Sequence, residues 1–289
     1  MRIRYPCLPC LVNQAVKVAE LTNAPDREAL FRKVFDHLSH IDFSRTNPEI
    51  IGDTFRMLKR HIGNDDPYRE TRQYYNQLFL TLADRLETAI DAAQDPFAAA
   101  VRYAILGNII DFNPVHALGE AEILAHFDGA DHLALTIDDS VQLRNSLSRA
   151  RTLLYLGDNC GEICLDKLLI RRIRALNPSL QVFFGVRGAP VVNDSIAEDA
   201  YCVGMDAVAT IIDNGDDSLG TVVPRVSAEF RSVYDAADVV IAKGQANYEC
   251  LSEDMDKDIF FLLMVKCDVI ASDLGVPRGS MICANPHNR

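Results

Sequence analysis

The sequence predicts an α/β protein in which a helical first half leads into a parallel or mixed sheet sandwiched by helices. Up to about residue 150, apolar residues recur at helical spacing and Asn-Pro or Asp-Pro pairs mark helix starts. Beyond it, short aliphatic runs alternate with helical stretches. At the changeover stands Leu153-Leu154-Tyr155-Leu156-Gly157-Asp158-Asn159-Cys160-Gly161-Glu162, an apolar run closed by glycine that then opens a helix, as a buried parallel strand would.

In chain order, Cys7-Leu8-Pro9-Cys10 runs into a helix through Leu11, Ala15, Val18 and Leu21. One cysteine pair is half of a zinc site, and the helix that follows is not the strand-first setting of a thioredoxin motif. Cys267 or Cys283 would complete a site across the fold; plain packing is an equal alternative. Asn47-Pro48, Asp66-Pro67 and Asp95-Pro96 each set a cap acceptor before a proline, where the missing N–H costs nothing. The run from 66 to about 93 carries Tyr75, Leu78, Phe79, Leu82, Leu86 and Ile90 at the spacing of one long helix, with Gly63 ending the helix before it. Asn108 and Asp111 lie three apart in an apolar segment, a placement that on spacing alone reads as core or cap polars.

The second half offers strands at Thr152–Leu156, Gln181–Val186, 207–212, 238–242, 259–265 and 269–271. Ligands in open α/β sheets bind beyond the carboxyl ends of strands, where the next helix points free N–H groups, and Asp158 and Asn159 stand at such a spot. Asn193-Asp194 and Asp199 follow another strand and are expected to converge on them. Two carboxylates about 4 Å apart repel by about 4 kcal/mol at an effective dielectric near 20, so the group needs a cation or a proton. Oxygen donors of this kind suit Mg²⁺ or Mn²⁺ better than Zn²⁺. The alternative is that Asp158 and Asn159 merely cap the helix. Lys243-Gly244 ends a further strand, either as a phosphate-holding lysine beside a close backbone approach or as a surface lysine in a turn. The acidic stretch 213–218 reads as a solvated loop.

The 289 residues, 48% of them hydrophobic, suffice for one large core or two ordinary ones. A net charge of −12 opposes nucleic acid and anionic membranes as partners, and Arg171-Arg172 is the densest basic pair. Nothing resembles a signal peptide or a membrane span, so a cytoplasmic protein is expected, and its eight cysteines are expected to be thiols rather than a disulfide scaffold. Oligomeric state is not legible.

Taken together, Asp158-Asn159-x-Gly161-Glu162, Asn193-Asp194 with Asp199, and Lys243-Gly244-Gln245-x-Asn247-Tyr248-Glu249 resemble the metal-dependent damage-control phosphatase family. Cys7-x-x-Cys10 with Gln14, Asn47-Pro48, Asp66-Pro67-Tyr68 and Gly107-Asn108-x-x-Asp111 look like its stand-alone microbial subfamily, so the likeness spans nearly the whole chain. The resemblance implies a helical domain, here 1–148, followed by an α/β/α three-layer domain, here 149–289. It further implies hydrolysis of phosphate esters of small, often damaged metabolites with a divalent metal, manganese, magnesium, nickel or cobalt. Carried over residue by residue, the metal ligands are Asp158, Asn159 and Asp194. Lys243 holds the phosphoryl group, with backbone N–H groups around Cys160 and Gly161 assisting. Asn108, Asn247 and Glu249 complete the substrate side. Cys7, Cys10 and Cys267 are expected to gather away from that centre. Two rival readings are an S-adenosylmethionine-dependent carboxyl methyltransferase, faintly echoed by Gly157-Asp158-x-x-Gly161, and a non-enzymatic metal-binding or redox protein built on the cysteines.

Overall fold

The computed structural model describes residues 1–109 and 119–286. Helices α1 (Leu8–Leu21), α2 (Arg27–Ser39), α3 (Asn47–Ile62), α4 (Arg69–Ala92), α5 (Pro96–Leu106) and α6 (Glu120–Phe127) precede a short strand β1 (Ile137–Asp138) and α7 (Ser140–Arg149). Strands then alternate with helices: β2 (Thr152–Leu156), α8 (Ile163–Leu176), β3 (Gln181–Val186), α9 (Ala197–Cys202), β4 (Thr210–Asp213), α10 (Ala228–Ala236) and β5 (Val239–Lys243). The chain ends with α11 (Gly244–Leu251), β6 (Ile259–Met264), α12 (Asp268–Leu274) and β7 (Met281–Ala284).

Three proline-marked starts use three different devices. Asp95 caps α5 as expected, accepting from the N–H groups of Phe97 and Ala98. At α3 the cap is Thr46, in a reciprocal box with Glu49, and Asn47 is already helical. Asp66 caps nothing: α4 begins at Arg69, and the Asp66 carboxylate turns back to grip Arg72 at 2.7 and 2.8 Å. A second departure is 269–271, which lies inside α12, between Cys267 at its N-cap and Gly275 in the left-handed conformation at its end. Three apolar residues fit either period, and the capping residues decide. Strands β1 and β7 were too short to announce themselves.

The seven strands lie in the order β1-β7-β6-β5-β2-β3-β4, parallel except for the β6–β7 pair. Strand β2 sits between β3 and β5. The chain leaves β2 for β3 through α8, and returns past β2 to β5 through α10. These two helices share cores with opposite sheet faces. The carboxyl ends of β2 and β5 therefore flank the switch point of a doubly wound sheet.

Alternate residues of each strand feed the two cores. Leu153, Tyr155, Val239 and Ile241 pack with α4 to α9, and Leu154, Leu156, Val240 and Ala242 with α1 to α3 and α10 to α12. The helical first half thus contributes to both outer layers, and the packing runs without a break across residue 149. Ile90, fully buried near the end of α4, is one such residue. Ile90→Ala is expected to lower stability by about 2–5 kcal/mol, read by urea denaturation, because it opens a cavity that rigid neighbours cannot fill.

Candidate active site

Asp158 follows the carboxyl end of β2, where Gly157 closes the strand by donating its N–H to the carbonyl of Gly185. The N-cap of α8 is Glu162, so Asp158 and Asn159 are not caps. They belong to a turn held against the segment that carries Asp194. Cys160 N–H donates to Asn193 O at 2.9 Å and Ser195 N–H to Asp158 O at 2.8 Å, an antiparallel bridge that sets Asn159 opposite Asp194. Asn193 Nδ2 adds a bond to Asn159 Oδ1 at 2.9 Å.

The side chains form a buried ionic cluster. Asn108, just past α5, donates Nδ2 to Asp158 Oδ2 at 2.8 Å and to Glu162 Oε2 at 2.9 Å. Asn159 Nδ2 bridges the same two oxygens at 2.9 and 3.0 Å. Lys243 Nζ donates to Glu162 Oε1 at 2.8 Å and to Asp166 Oδ1 at 2.6 Å, and the Tyr155 hydroxyl donates to the same Asp166 oxygen at 2.7 Å. Arg187 Nε donates to Asp194 Oδ2 at 2.7 Å, and its Nη2 lies 3.8 Å from Asp158 Oδ1. None of these charged residues is more than 6% exposed.

Glycines permit the close approaches. A Cβ on Gly244, at φ +75°, would overlap the Asp158 carboxylate, and one on Gly107 would meet Leu165 and Glu162. Gly107 thereby lets Asn108 reach the cluster.

Electrostatics follow from burial. Desolvation, with Asp194 and Glu162 adding to it, pushes the Asp158 carboxyl up to about 8. Burial also raises Asp194, against the opposing pull of Arg187. Burial acts to lower Lys243, yet Asp166 and Glu162 overcome it and hold the ammonium above the ordinary lysine range. Burial lifts Asp166 to about 6 even with Lys243 beside it. Ammonium and phenol both donate to one Asp166 oxygen, so the pair is ionised at neutral pH.

Fully ionised, the carboxyls of Asp158, Glu162, Asp166 and Asp194 would exceed the two cations Arg187 and Lys243 by two negative charges, a deficit that Asp158, raised to about 8, lessens at neutral pH by holding a proton. That deficit, walled by oxygen donors, fits a hard divalent cation. Asp158, Asn159 and Asp194 would hold it, and Asn159 would contribute its amide oxygen. Among the described residues no three His, Cys, Asp or Glu side chains stand together in ligating geometry.

The remaining expected residues are spread more widely. Gly161, at φ +72°, gives its N–H to Asn76 Oδ1 at 2.7 Å and has none left for a substrate. Asn247 braces the scaffold: its Nδ2 donates to Gly157 O and Lys243 O, and its Oδ1 accepts from Thr221. Asp199 joins Arg72 and Asn76, not the cluster. Glu249 faces Asn47, whose Nδ2 donates to it at 3.4 Å; burial pushes the thiols of Cys7 and Cys10 up, with Glu249 and Cys267 adding to it. These three cysteines share a region as free thiols; Cys7 is buried, Cys10 exposed, and Cys267 accepts from Gln245 Nε2 at 3.7 Å. Asp111 lies outside the described residues. The acidic loop is tied down, with Asp217 paired to Arg56 and Lys59. A surface cleft of about 680 Å³ between the end of α1 and the start of α4, lined by Asp66, Arg69 and Tyr74, is separate from this chemistry.

Glu162, Asp166 and Arg187 were missed as site residues. Glu162 and Asp166, four apart on a helix whose neighbours are nearly all apolar, carried a usable signal: acids on a buried face require a partner. Arg187, just past β3, had none.

The whole chain has relatives. The family model described as the damage-control phosphatase ARMT1-like domain matches residues 3–282. A damage-control phosphatase of Pyrococcus horikoshii is 34% identical over 286 residues, covering 98% of both chains. One from Archaeoglobus fulgidus is 32% identical over 289 residues, again 98% of both. The crystal structure of the Pyrococcus horikoshii protein, described as a DUF89 family member, superposes with a TM-score of 0.92 over 99% of each chain at 31% identity.

Two outcomes test this geometry. Lys243→Ala leaves Glu162 and Asp166 as uncompensated buried charges and is expected to cost about 3–5 kcal/mol in urea denaturation. A change within about 0.5 kcal/mol would instead mark an exposed turn lysine. Burial raises Glu249 from 4.5 to about 7. Because the folded state favours the protonated acid, its stabilising contribution is full below pH 4.5 and is lost as pH rises through about 7, an effect on the order of 3 kcal/mol. Glu249→Gln is expected to abolish this component when stability is compared with wild type from pH 4 to 8.

Proposed function

Because the chain belongs to the damage-control phosphatase family defined by the ARMT1-like domain, we propose that it hydrolyses phosphate esters of small, damaged metabolites with the help of a divalent metal. The observation that supports the metal is the excess of carboxyl groups over cations in the buried cluster, relieved by a proton on Asp158 that a divalent cation would displace, at the place where doubly wound sheets bind ligands. A bound divalent cation supplies charge neutralisation to the phosphoryl group.

The chain's own residues divide the rest of the work. Asp158, Asn159 and Asp194 provide oxygen donors from two segments bridged by backbone hydrogen bonds. Arg187 fixes the Asp194 carboxylate and lessens its repulsion with Asp158. Asn108 and Asn159 hold the Asp158 and Glu162 carboxylates at hydrogen-bonding distance from shared amides, which fixes these two acids beside each other. Lys243 has three N–H donors and spends two on Glu162 and Asp166. We assign the third to a phosphoryl oxygen, a contact that strengthens as charge develops.

The Gly157–Gly161 turn, the segment that echoes a methyltransferase loop, is given over to the ionic cluster, with the Gly161 N–H spent on Asn76. The test is a phosphate-release screen over sugar phosphates, nucleotides and phosphorylated cofactors, with Mn²⁺, Mg²⁺, Co²⁺ or Ni²⁺ supplied and with chelator. Release is expected to require metal. Asp158→Ala should abolish release and weaken Mn²⁺ binding by calorimetry while leaving the thermal transition cooperative. Full activity in chelator, or near-normal turnover of Asp158→Ala, would refute the reading.

A further inference from the structure

Asn76, on α4, makes two hydrogen bonds that join parts of the molecule far apart in sequence. Its Oδ1 accepts the N–H of Gly161 at 2.7 Å, in the turn that carries Asp158 and Asn159. Its Nδ2 donates to Asp199 Oδ1 at 2.8 Å, at the start of the helix that follows Asp194. Asp199 also accepts the Ile196 N–H at 3.0 Å and Arg72 Nε at 2.8 Å. Arg72 in turn grips Asp66 with both terminal nitrogens. Arg72 and Asn76 are each 1% exposed and Asp199 is 4% exposed.

One amide therefore touches both arms that bear the three candidate metal ligands, and a buried ion-pair chain fixes that amide in place. The arms are already bridged to each other on the side of Cys160 and Ser195. Asn76 supplies a second, independent tie from the helical layer. Both of its partners are buried hydrogen-bonding groups, so the amide orientation is set by chemistry: an N–H needs an acceptor, a carboxylate needs a donor.

We propose that Asn76 is a positioning residue that sets the spacing of the Asp158–Asn159 and Asp194 arms, with Asp199, Arg72 and Asp66 as its support. Its side chain bonds none of the three candidate ligands and acts through the peptide of Gly161 and the carboxylate of Asp199. Outer hydrogen-bond partners of ligating groups typically govern metal affinity by 10–100-fold. The proposal rests on the phosphatase reading only where metal affinity is used as the readout.

The experiment compares wild type, Asn76→Ala, Asn76→Ser and Ile90→Ala. The serine variant keeps a hydroxyl too short to span both arms and guards against loss of folding; Ile90→Ala destabilises the same helix from its other end. Amide hydrogen exchange is expected to accelerate by about tenfold or more in both 158–162 and 194–199 for the Asn76 variants, and not for Ile90→Ala. Mn²⁺ dissociation constants are expected to rise by 10–100-fold in the same variants only. If wild type binds no Mn²⁺ but the exchange pattern holds, the clamp stands and the metal reading falls. Unchanged exchange in either arm, or equal loosening by Ile90→Ala, would overturn the clamp.

Discussion

Four acidic side chains packed into the interior resist being ionised together, and most of what is unusual in this molecule answers that conflict. Arg187 and Lys243 are buried because the acids are there, and neither would be tolerated in that core alone. Asn108 and Asn159 point donors at the same pair of carboxylate oxygens, so even the neutral polar residues are recruited to hold negative charge in place. Holding so many acids in the interior costs stability.

The sheet and the helices divide this task. Strands β2 and β5 bring Asp158 and Lys243 to the switch point, where the chain leaves them for helices on opposite sheet faces. The helical layer supplies the correcting contacts, Asn108 from beyond α5 and Asn76 from α4. Gly107 and Gly244 lack side chains where the backbone must pass a carboxyl-bearing residue, and their positions show how tightly the layers converge. The resulting site belongs to the whole chain and not to its second half.

Much of this was legible in the sequence. An aliphatic run closed by Gly157 before Asp158 and Asn159 leaves little choice but a strand ending at an acidic turn, and Lys243-Gly244 repeats that grammar. Of the three helix-start signals one misleads: Asp66-Pro67 reads as a cap, yet its carboxylate is drawn to Arg72, because an ion pair with a buried arginine outweighs a cap of about 1 kcal/mol. Arg72 and Asn76 resist sequence reading because their partner, Asp199, lies more than a hundred positions away. On a helical wheel they pass for the edge of a solvated face. Gly161 shows the same limit: a free N–H at a helix start is a fair expectation until a distant amide claims it.

Strand β7 is buried along its length, and only a two-residue strand, β1, lies beyond it. Ile137 and Asp138 align with Ile282 and Cys283, and the N–H groups of Thr136 and Asp139 donate to Met281 and Cys283. Without that cover, an apolar strand would offer a row of open hydrogen-bonding groups to any extended chain that passed. A short segment from the helical first half therefore acts as a selvedge on this side of the sheet, leaving a two-residue strand at the edge in place of a longer apolar one.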